Sequence, residues 1–529
     1  MGSVEFTLHP LDTAIIVLYF VTTIAIGFYF SRIHESAEDY FLAGRSMLWP
    51  FIGLSLYASN MSSTSLVGLA GEAYSTGISV FNYEWMAAII LVFFSIFILP
   101  FILRSRVYTM PEFLERRFDR RARNYFSVLT LFLNIVVDTA GSLYAGALLL
   151  KLIFPSIPIW QSITVLAVAA GAYTIAGGLA AVIFTDAIQA ILLTLGSILL
   201  TFFAYQEVGG WSAVTSAVPA DMLSLIRPND DAGVPWLGMI TGVPLLGFYL
   251  WCTNQFMVQR VLSAKNEDHG RWGCLFAGLL KLPPLFIMVL PGTMAILLYP
   301  NLEKPDLIYP TMLFDLMPVG LLGLVLSGFV AALMSQIDST LNSASTLVTM
   351  DFVREFRPDL GSNRLMQIGR IVTFLVMLFA VLWAPQIENF GSLFKYLQRI
   401  LAYTVPPVVA LYLVGIFWKR ANASGAFAAL VTGSSVGIAL FFVNEVFEWT
   451  SLHFLYVAPI LFILSVACLI GVSLVSPGRI PENVDDMVWS RAYFRAETET
   501  LKSRSIIYNY RIYAALLLAA TAALVFAFW

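Results

Sequence analysis

Ser335, Asp338, Ser339 and Asn342 recur at i, i+3, i+4 and i+7 inside the apolar run 318–350. On a helix that spacing gathers two hydroxyls, a carboxylate and an amide on one face. The stripe offers oxygen ligands and one compensating charge, the chemistry that suits a hard cation. A second polar cluster breaks the apolar segment 53–71 at mid-length, where Ser59, Asn60, Ser62, Ser63, Thr64 and Ser65 crowd into seven positions. Hydrocarbon satisfies no polar group, so such a break belongs where it faces protein or a wet cavity. Interrupted helices of this kind hold substrate and ion sites in secondary transporters. The plainer alternatives are a wet helix interface without an ion for the stripe, and hydroxyls bonded back to their own helix for the cluster.

The elements that carry these residues are membrane spans. Of 529 residues 59% are hydrophobic and 12% charged, with a mean hydropathy of +0.81, a balance outside the range of soluble domains. Apolar runs near the roughly 20-residue spanning length fall at about 11–30, 50–71, 80–103, 125–153, 158–177, 183–205, 237–262, 272–298, 318–350, 366–385, 394–418, 424–444, 454–475 and 508–529. The expectation is an all-α polytopic membrane protein of about 14 transmembrane helices. Seven arginines between Arg104 and Arg123 mark that loop as cytoplasmic, by the rule that Lys and Arg collect inside. Counting alternate loops puts Arg32, Arg45, Arg260, Lys265, Arg271 and the basic 479–511 connection on the same side, and both termini outside.

Other classes find little support. Cys252, Cys274 and Cys468 lie far apart in apolar segments, and His9, His34, His269 and His453 stand singly, so neither a disulfide framework nor a metal cluster is indicated. No nucleophile arrangement or phosphate-cradling loop points to an enzyme. A net charge of −3 gives no sign of a nucleic-acid partner, and no obligatory protein partner is evident; the bilayer and a small solute are the partners expected.

A second interrupted span lies at 237–262, punctuated by Gly242, Gly247, Trp251, Thr253, Asn254 and Gln255. It follows the first break by five spans, and an odd number forces the second copy to insert upside down. Two five-helix units related by inverted topology fit that spacing. The chain then divides into an extra N-terminal helix and cytoplasmic loop (1–49), a first repeat with its outer loop (50–236), a second repeat (237–420) and additional C-terminal helices (421–529).

EDYFLAGRS at 38–46, NYEWM at 82–86, YTMPEFLERRF at 108–118, GGLAAVIFTDAIQ at 177–189, WCTNQFMVQRVLSAK at 251–265, LKLPPLFIMVLPG at 280–292, LNSASTLVTMDF at 341–352 and GIFWKRANASGA at 415–426 resemble the sodium/solute symporter family, in particular its sodium/glucose cotransporter branch. The resemblance implies a leucine-transporter-type five-plus-five inverted repeat with extra helices, in the plasma membrane, and a sodium-coupled symporter importing a sugar, polyol or sugar derivative by alternating access. It implies a first sodium site from the carbonyls of Ala58, Met61 and Ala332 with side-chain oxygens of Ser335 and Gln336, although Gln336 stands where the family usually has a second hydroxyl. A candidate second sodium site comprises Asp186, Asp338 and Ser339. Solute ligands by the same resemblance are Glu84 and Lys281, with Asn60 and Gln398 as polar partners and Trp251 and Tyr249 near the ring platform. Ser65, in the substrate set, replaces a glutamine of the sugar branch, and Ala87, Gly247 and Leu250 replace a serine, an asparagine and a tyrosine, departures that weaken a direct glucose or galactose assignment. Glu84 and Lys281 as a purely structural ion pair is the alternative. Asp138 has no assigned role, and Arg399 either admits an anionic solute or reaches toward the outer headgroups. A solute sensor derived from a transporter is the other function class, less well served by a short C-terminal tail with no output domain.

Overall fold

A computed structural model describes residues 8–31, 37–302, 304–390 and 392–529; Arg32 and His34 lie outside them. Among the described residues the regular structure is helical, with two isolated backbone bridges. The helices that matter here are α1 (Pro10–Ser31), α2 (Trp49–Asn60), α3 (Ser63–Thr76), α4 (Asn82–Phe97), α5 (Arg120–Ile153), α6 (Ile159–Val208), α7 (Trp236–Thr253), α8 (Gln255–Leu262), α9 (Glu267–Leu298) and α10 (Leu321–Phe356). They continue as α11 (Ser362–Phe390), α12 (Leu393–Thr404), α13 (Pro406–Phe417), α14 (Ala423–Val446), α15 (Phe454–Val475), α16 (Arg491–Lys502) and α17 (Tyr510–Ala527).

Ten described helices are long and apolar enough to cross a membrane, and an eleventh span results if α12 and α13, bent by 53° at Val405, act as one. The bend follows from Pro406 and Pro407, which remove backbone donors at the start of α13. The separate spans expected at 158–177 and 183–205 are joined in the single 50-residue helical segment α6. The connecting residues Gly178 to Val182 include no proline, and after the Gly177–Gly178 pair the leucine and alanines favour the helix.

Burial sorts these helices by role. The most apolar window of α10 is 83% buried, against 28% in α14 and α15 and 22% in α17. The helix bearing the polar stripe is therefore the core of the bundle, wrapped by α1, α2 and α6, while the C-terminal helices face outward. Small residues permit the closest approaches. A Cβ added at Gly292 would stand 2.4 Å from the Ala70 carbonyl oxygen, so α3 and α9 pack backbone to backbone beside the first break.

Candidate solute and cation site

Two helix interruptions frame the site. After Asn60 the chain leaves the helical region at Met61 (φ −81°, ψ 66°) and Ser62 (φ −90°, ψ 178°), and α3 restarts at Ser63. The polar residues that mark the break in the sequence re-satisfy the backbone it exposes. The Met61 N–H donates to Tyr57 O at 2.8 Å, the Ser65 hydroxyl donates to Asn60 O at 2.6 Å, and Ser62 Oγ accepts from the Ser65 N–H at 3.4 Å as the cap of α3. The second interruption repeats the device. A π-helical turn, Tyr249–Thr253, leads into extended Asn254 (φ −64°, ψ 128°), whose side chain accepts from the Phe256 N–H at 3.1 Å and starts α8.

Between the breaks lies a cavity of about 110 Å³. Sites for drug-sized ligands run to roughly 300–1,000 Å³, so the occupant is small. Of the residues expected to bind solute, Asn60, Ser65, Glu84, Trp251 and Gln398 line it. Lys281 stands directly behind them: its ammonium pairs with the Glu84 carboxylate, donates to Asn60 Oδ1, and sits 5.6 Å from the centroid of the Trp251 ring. Lys281 occupies the non-helical step that precedes Pro283 and Pro284 inside α9, which frees its side chain to reach across to α4. Tyr249 is fully buried but is not among the lining residues. Asp138, unassigned from the sequence, does line the cavity, as do Tyr83, Phe394 and Leu397. Arg399 does not; it pairs with Glu445 at 3.2 Å in a separate pocket with Lys395 and His453.

The cation residues meet where α2, α6, α8 and α10 converge. Ser335 Oγ donates to Asp186 Oδ1 at 2.5 Å and lies 3.5 Å from Ser59 Oγ. Gln336 turns its amide oxygen toward Thr64, which donates at 3.1 Å, and Ser142, which donates at 2.5 Å. Ala58 on α2, Met61 in the break that follows it and Ala332 on α10 are all buried. Asp186 Oδ2 accepts from Ser55, from Ser59 at 3.3 Å and from Arg260 Nη2 at 3.0 Å. Ser339 Oγ accepts from Arg260 and lies 3.1 Å from Ser59 Oγ. Asp338 is buried beside them and feels the charge of Arg260.

Arg260 is the residue that loop counting misplaces. It belongs to the end of α8 and its side chain is 1% exposed, pointing into the bundle with its Nε bonded to Ser55 at 2.7 Å, rather than out into a cytoplasmic loop. An arginine in the last turn of a short helix reads as an interfacial anchor; the intramembrane carboxylate at Asp186, which needs a partner, was the available signal that it is not.

The model of the sodium:solute symporter family matches residues 40–433. Sodium/glucose cotransporter 1 of Oryctolagus cuniculus is 36% identical, covering 90% of this chain and 80% of its own. Sodium/glucose cotransporter 4 of Danio rerio is 35% identical over 94% and 84%, and sodium/myo-inositol cotransporter 2 of Oryctolagus cuniculus 35% over 91% and 79%. Among solved structures, a Na+-coupled sialic acid symporter in a substrate-bound, outward-open state superposes with a TM-score of 0.78 at 22% identity, covering 89% of this chain and 99% of that one. A nucleobase-cation-symport-1 family transporter gives 0.53 at 12% identity over 88% and 99%.

Proposed function

Because the chain belongs to the sodium:solute symporter family, we propose that it imports a small polyhydroxylated solute, a sugar, polyol or sugar derivative, coupled to sodium entry. The observation that carries this reading is the convergence of Glu84, Asn60 and Trp251 on one small cavity between two broken helices, with the Lys281 ammonium held against all three from behind. An ammonium, a carboxylate and an amide give a polyol donors and acceptors on one side, and the indole face gives its ring an apolar platform. Gln398 and Ser65 complete the polar rim. The relatives named for glucose and myo-inositol support the same solute class.

Sodium, the driving cargo, binds in our reading against Ser335 and the carbonyls of Ala58, Met61 and Ala332, with Gln336 giving its amide oxygen in place of a second hydroxyl. This position adjoins the first break, so filling it fixes the relative placement of α2 and α10 and thereby the cavity wall at Asn60. The candidate second position, Asp186, Asp338 and Ser339, already has a cation in contact, the Arg260 guanidinium. A second sodium there has to displace it. We read the architecture as two inverted five-helix units with one helix before and three after, about fourteen spans with both termini outside. Sodium-dependent uptake from a panel of labelled sugars, polyols and sugar acids into proteoliposomes tests the function; uptake indifferent to sodium, or none across the panel, overturns it.

A further inference from the structure

The geometry points to Asp138 as the charge-selecting ligand of the solute cavity: its carboxylate accepts from the hydroxyl or ammonium groups of the solute and bars solutes that carry a carboxylate of their own. The inference rests on the symporter reading above and specifies what that cavity takes. Asp138 is 8% exposed and lines the cavity. Among the described residues no cation pairs with it and no side chain hydrogen-bonds to it. The other carboxylate on the wall, Glu84, is paired with Lys281, which leaves Asp138 as the wall carboxylate without a cation partner among the described residues. A buried lone carboxylate is costly, and a donor or cation on the solute offsets that cost without the carboxylate having to take up a proton.

The local backbone explains why this carboxylate faces the solute. In a regular α-helix Asn134, Asp138 and Ser142, at i, i+4 and i+8, share one face. Asn134 and Ser142 both meet α10, Asn134 Nδ2 at 3.2 Å from Ser343 Oγ and Ser142 Oγ at 2.5 Å from Gln336 Oε1. Asp138 would then stand between them, pressed against α10. Instead α5 contains a π-helical turn, Asn134–Thr139, which adds a residue to the turn, and Thr139 makes the intervening contact, 2.9 Å to Thr340 Oγ1. The seam against α10 therefore runs 134, 139, 142, and Asp138 is rotated off it onto the cavity wall. Bulges of this kind concentrate at functional sites.

The test takes the neutral sugar or polyol that the full-length protein transports with sodium in proteoliposomes, together with the analogues of that solute in which one hydroxyl is replaced by an amine and one carbinol by a carboxylate. The wild type is expected to accept the neutral and amino solutes and to disfavour the acid at least tenfold. Asp138→Asn is expected to weaken the neutral solute about tenfold or more, the range for a hydrogen bond to a charged group, to weaken the amino solute further, and to shrink the penalty on the acid. Asp138→Glu, which keeps the charge, is expected to keep the ranking. A wild type that takes the acid as well as the neutral solute overturns the assignment even if Asp138→Asn fails to fold, and so does an unchanged ranking in a transporting Asp138→Asn. Absence of sodium-driven uptake of any neutral solute by the wild type overturns the symporter reading itself, and this inference with it.

Discussion

Arg260 Nη2 lies 3.0 Å from Asp186 Oδ2, and neither side chain is more than 1% exposed. The guanidinium meets Asp186 and Ser339 where a second coupled ion would bind, so we expect one sodium per solute. One ion entering down 100 mV gives about 2.3 kcal/mol and a tenfold gradient about 1.4 kcal/mol. One ion then sustains accumulation of roughly 500-fold and two on the order of 10⁵-fold. Reversal potentials distinguish the two, and a stoichiometry of two in the wild type means that sodium displaces Arg260. Removing one partner of a buried pair costs about 3–5 kcal/mol. Arg260→Met should therefore melt lower, and sodium, able to reach Asp186 in that variant, should recover part of the loss more strongly than an organic cation does.

Ser335 joins the two cation positions, since its hydroxyl reaches Asp186 at 2.5 Å on the helix face that meets the first break. Ser335→Ala is expected to raise the sodium concentration for half-maximal uptake about tenfold or more, while leaving the solute affinity at saturating sodium within about threefold. Unchanged sodium dependence removes Ser335 from the site. Gln336→Ala should lower stability as well as sodium affinity, because the Ser142 hydroxyl loses its acceptor, at about 1–3 kcal/mol for a group left unsatisfied, while Thr64 keeps its bond to Ser62.

For Glu84 and Lys281 the contact geometry leaves two roles to separate, ligand and structural pair. Both side chains are at most 9% exposed, yet Glu84 lines the cavity and Lys281 also holds Asn60. Glu84→Gln and Lys281→Met are each expected to weaken solute binding by at least tenfold with sodium binding retained. If the double variant restores both melting temperature and solute affinity, the pair is structural and the solute ligands lie elsewhere in the cavity.

How far the chain discloses these features depends on the kind of signal each one leaves. The breaks at Met61 and Asn254 are legible because polar residues clustered in an apolar run cannot be satisfied by hydrocarbon, and the stripe from Ser335 to Asn342 because helical spacing is visible in one dimension. Lys281 and Glu84 are found through the family resemblance. Arg260 reads as a loop residue, since loop counting records where an arginine sits in the chain and not which way a long side chain turns. Asp138 stays unassigned for a different reason: its direction is set by a π turn, one residue of helical phase, and a regular 3.6-residue period puts it on the wrong face. Tyr249 falls near the solute on the strength of Trp251 two residues on, but helical residues two apart point to nearly opposite sides, about 200° around the axis at about 100° per residue, and of the two only the tryptophan reaches the wall.

The last expectation concerns acid stability at the start of α15. His453 caps α15, its Nδ1 accepting from the Leu455 N–H at 3.3 Å, and protonation would turn that acceptor into a donor and remove the cap. Burial pulls its pKa down to about 4, with Lys395 and Arg399 acting the same way and Asp231 and the Ala232 backbone opposing. The unfolded value is about 6.5, so between these limits the unfolded chain binds more protons than the folded one. Stability from this group falls as the pH drops from about 6.5 to 4 and levels off below. Asp306, which accepts from the Leu393 N–H at 2.9 Å, is pushed up by burial to about 6 and contributes with the opposite sign across much of the same window, so the wild-type profile is a difference of two terms. His453→Asn separates them: the amide oxygen keeps an acceptor for the cap, and nothing titrates. Relative to the wild type, the variant's melting temperature is expected to be unchanged or slightly lower at pH 7.5 and higher at pH 4.5. A constant offset between the two proteins at both pH values would show that His453 keeps the unfolded-state pKa in the folded protein.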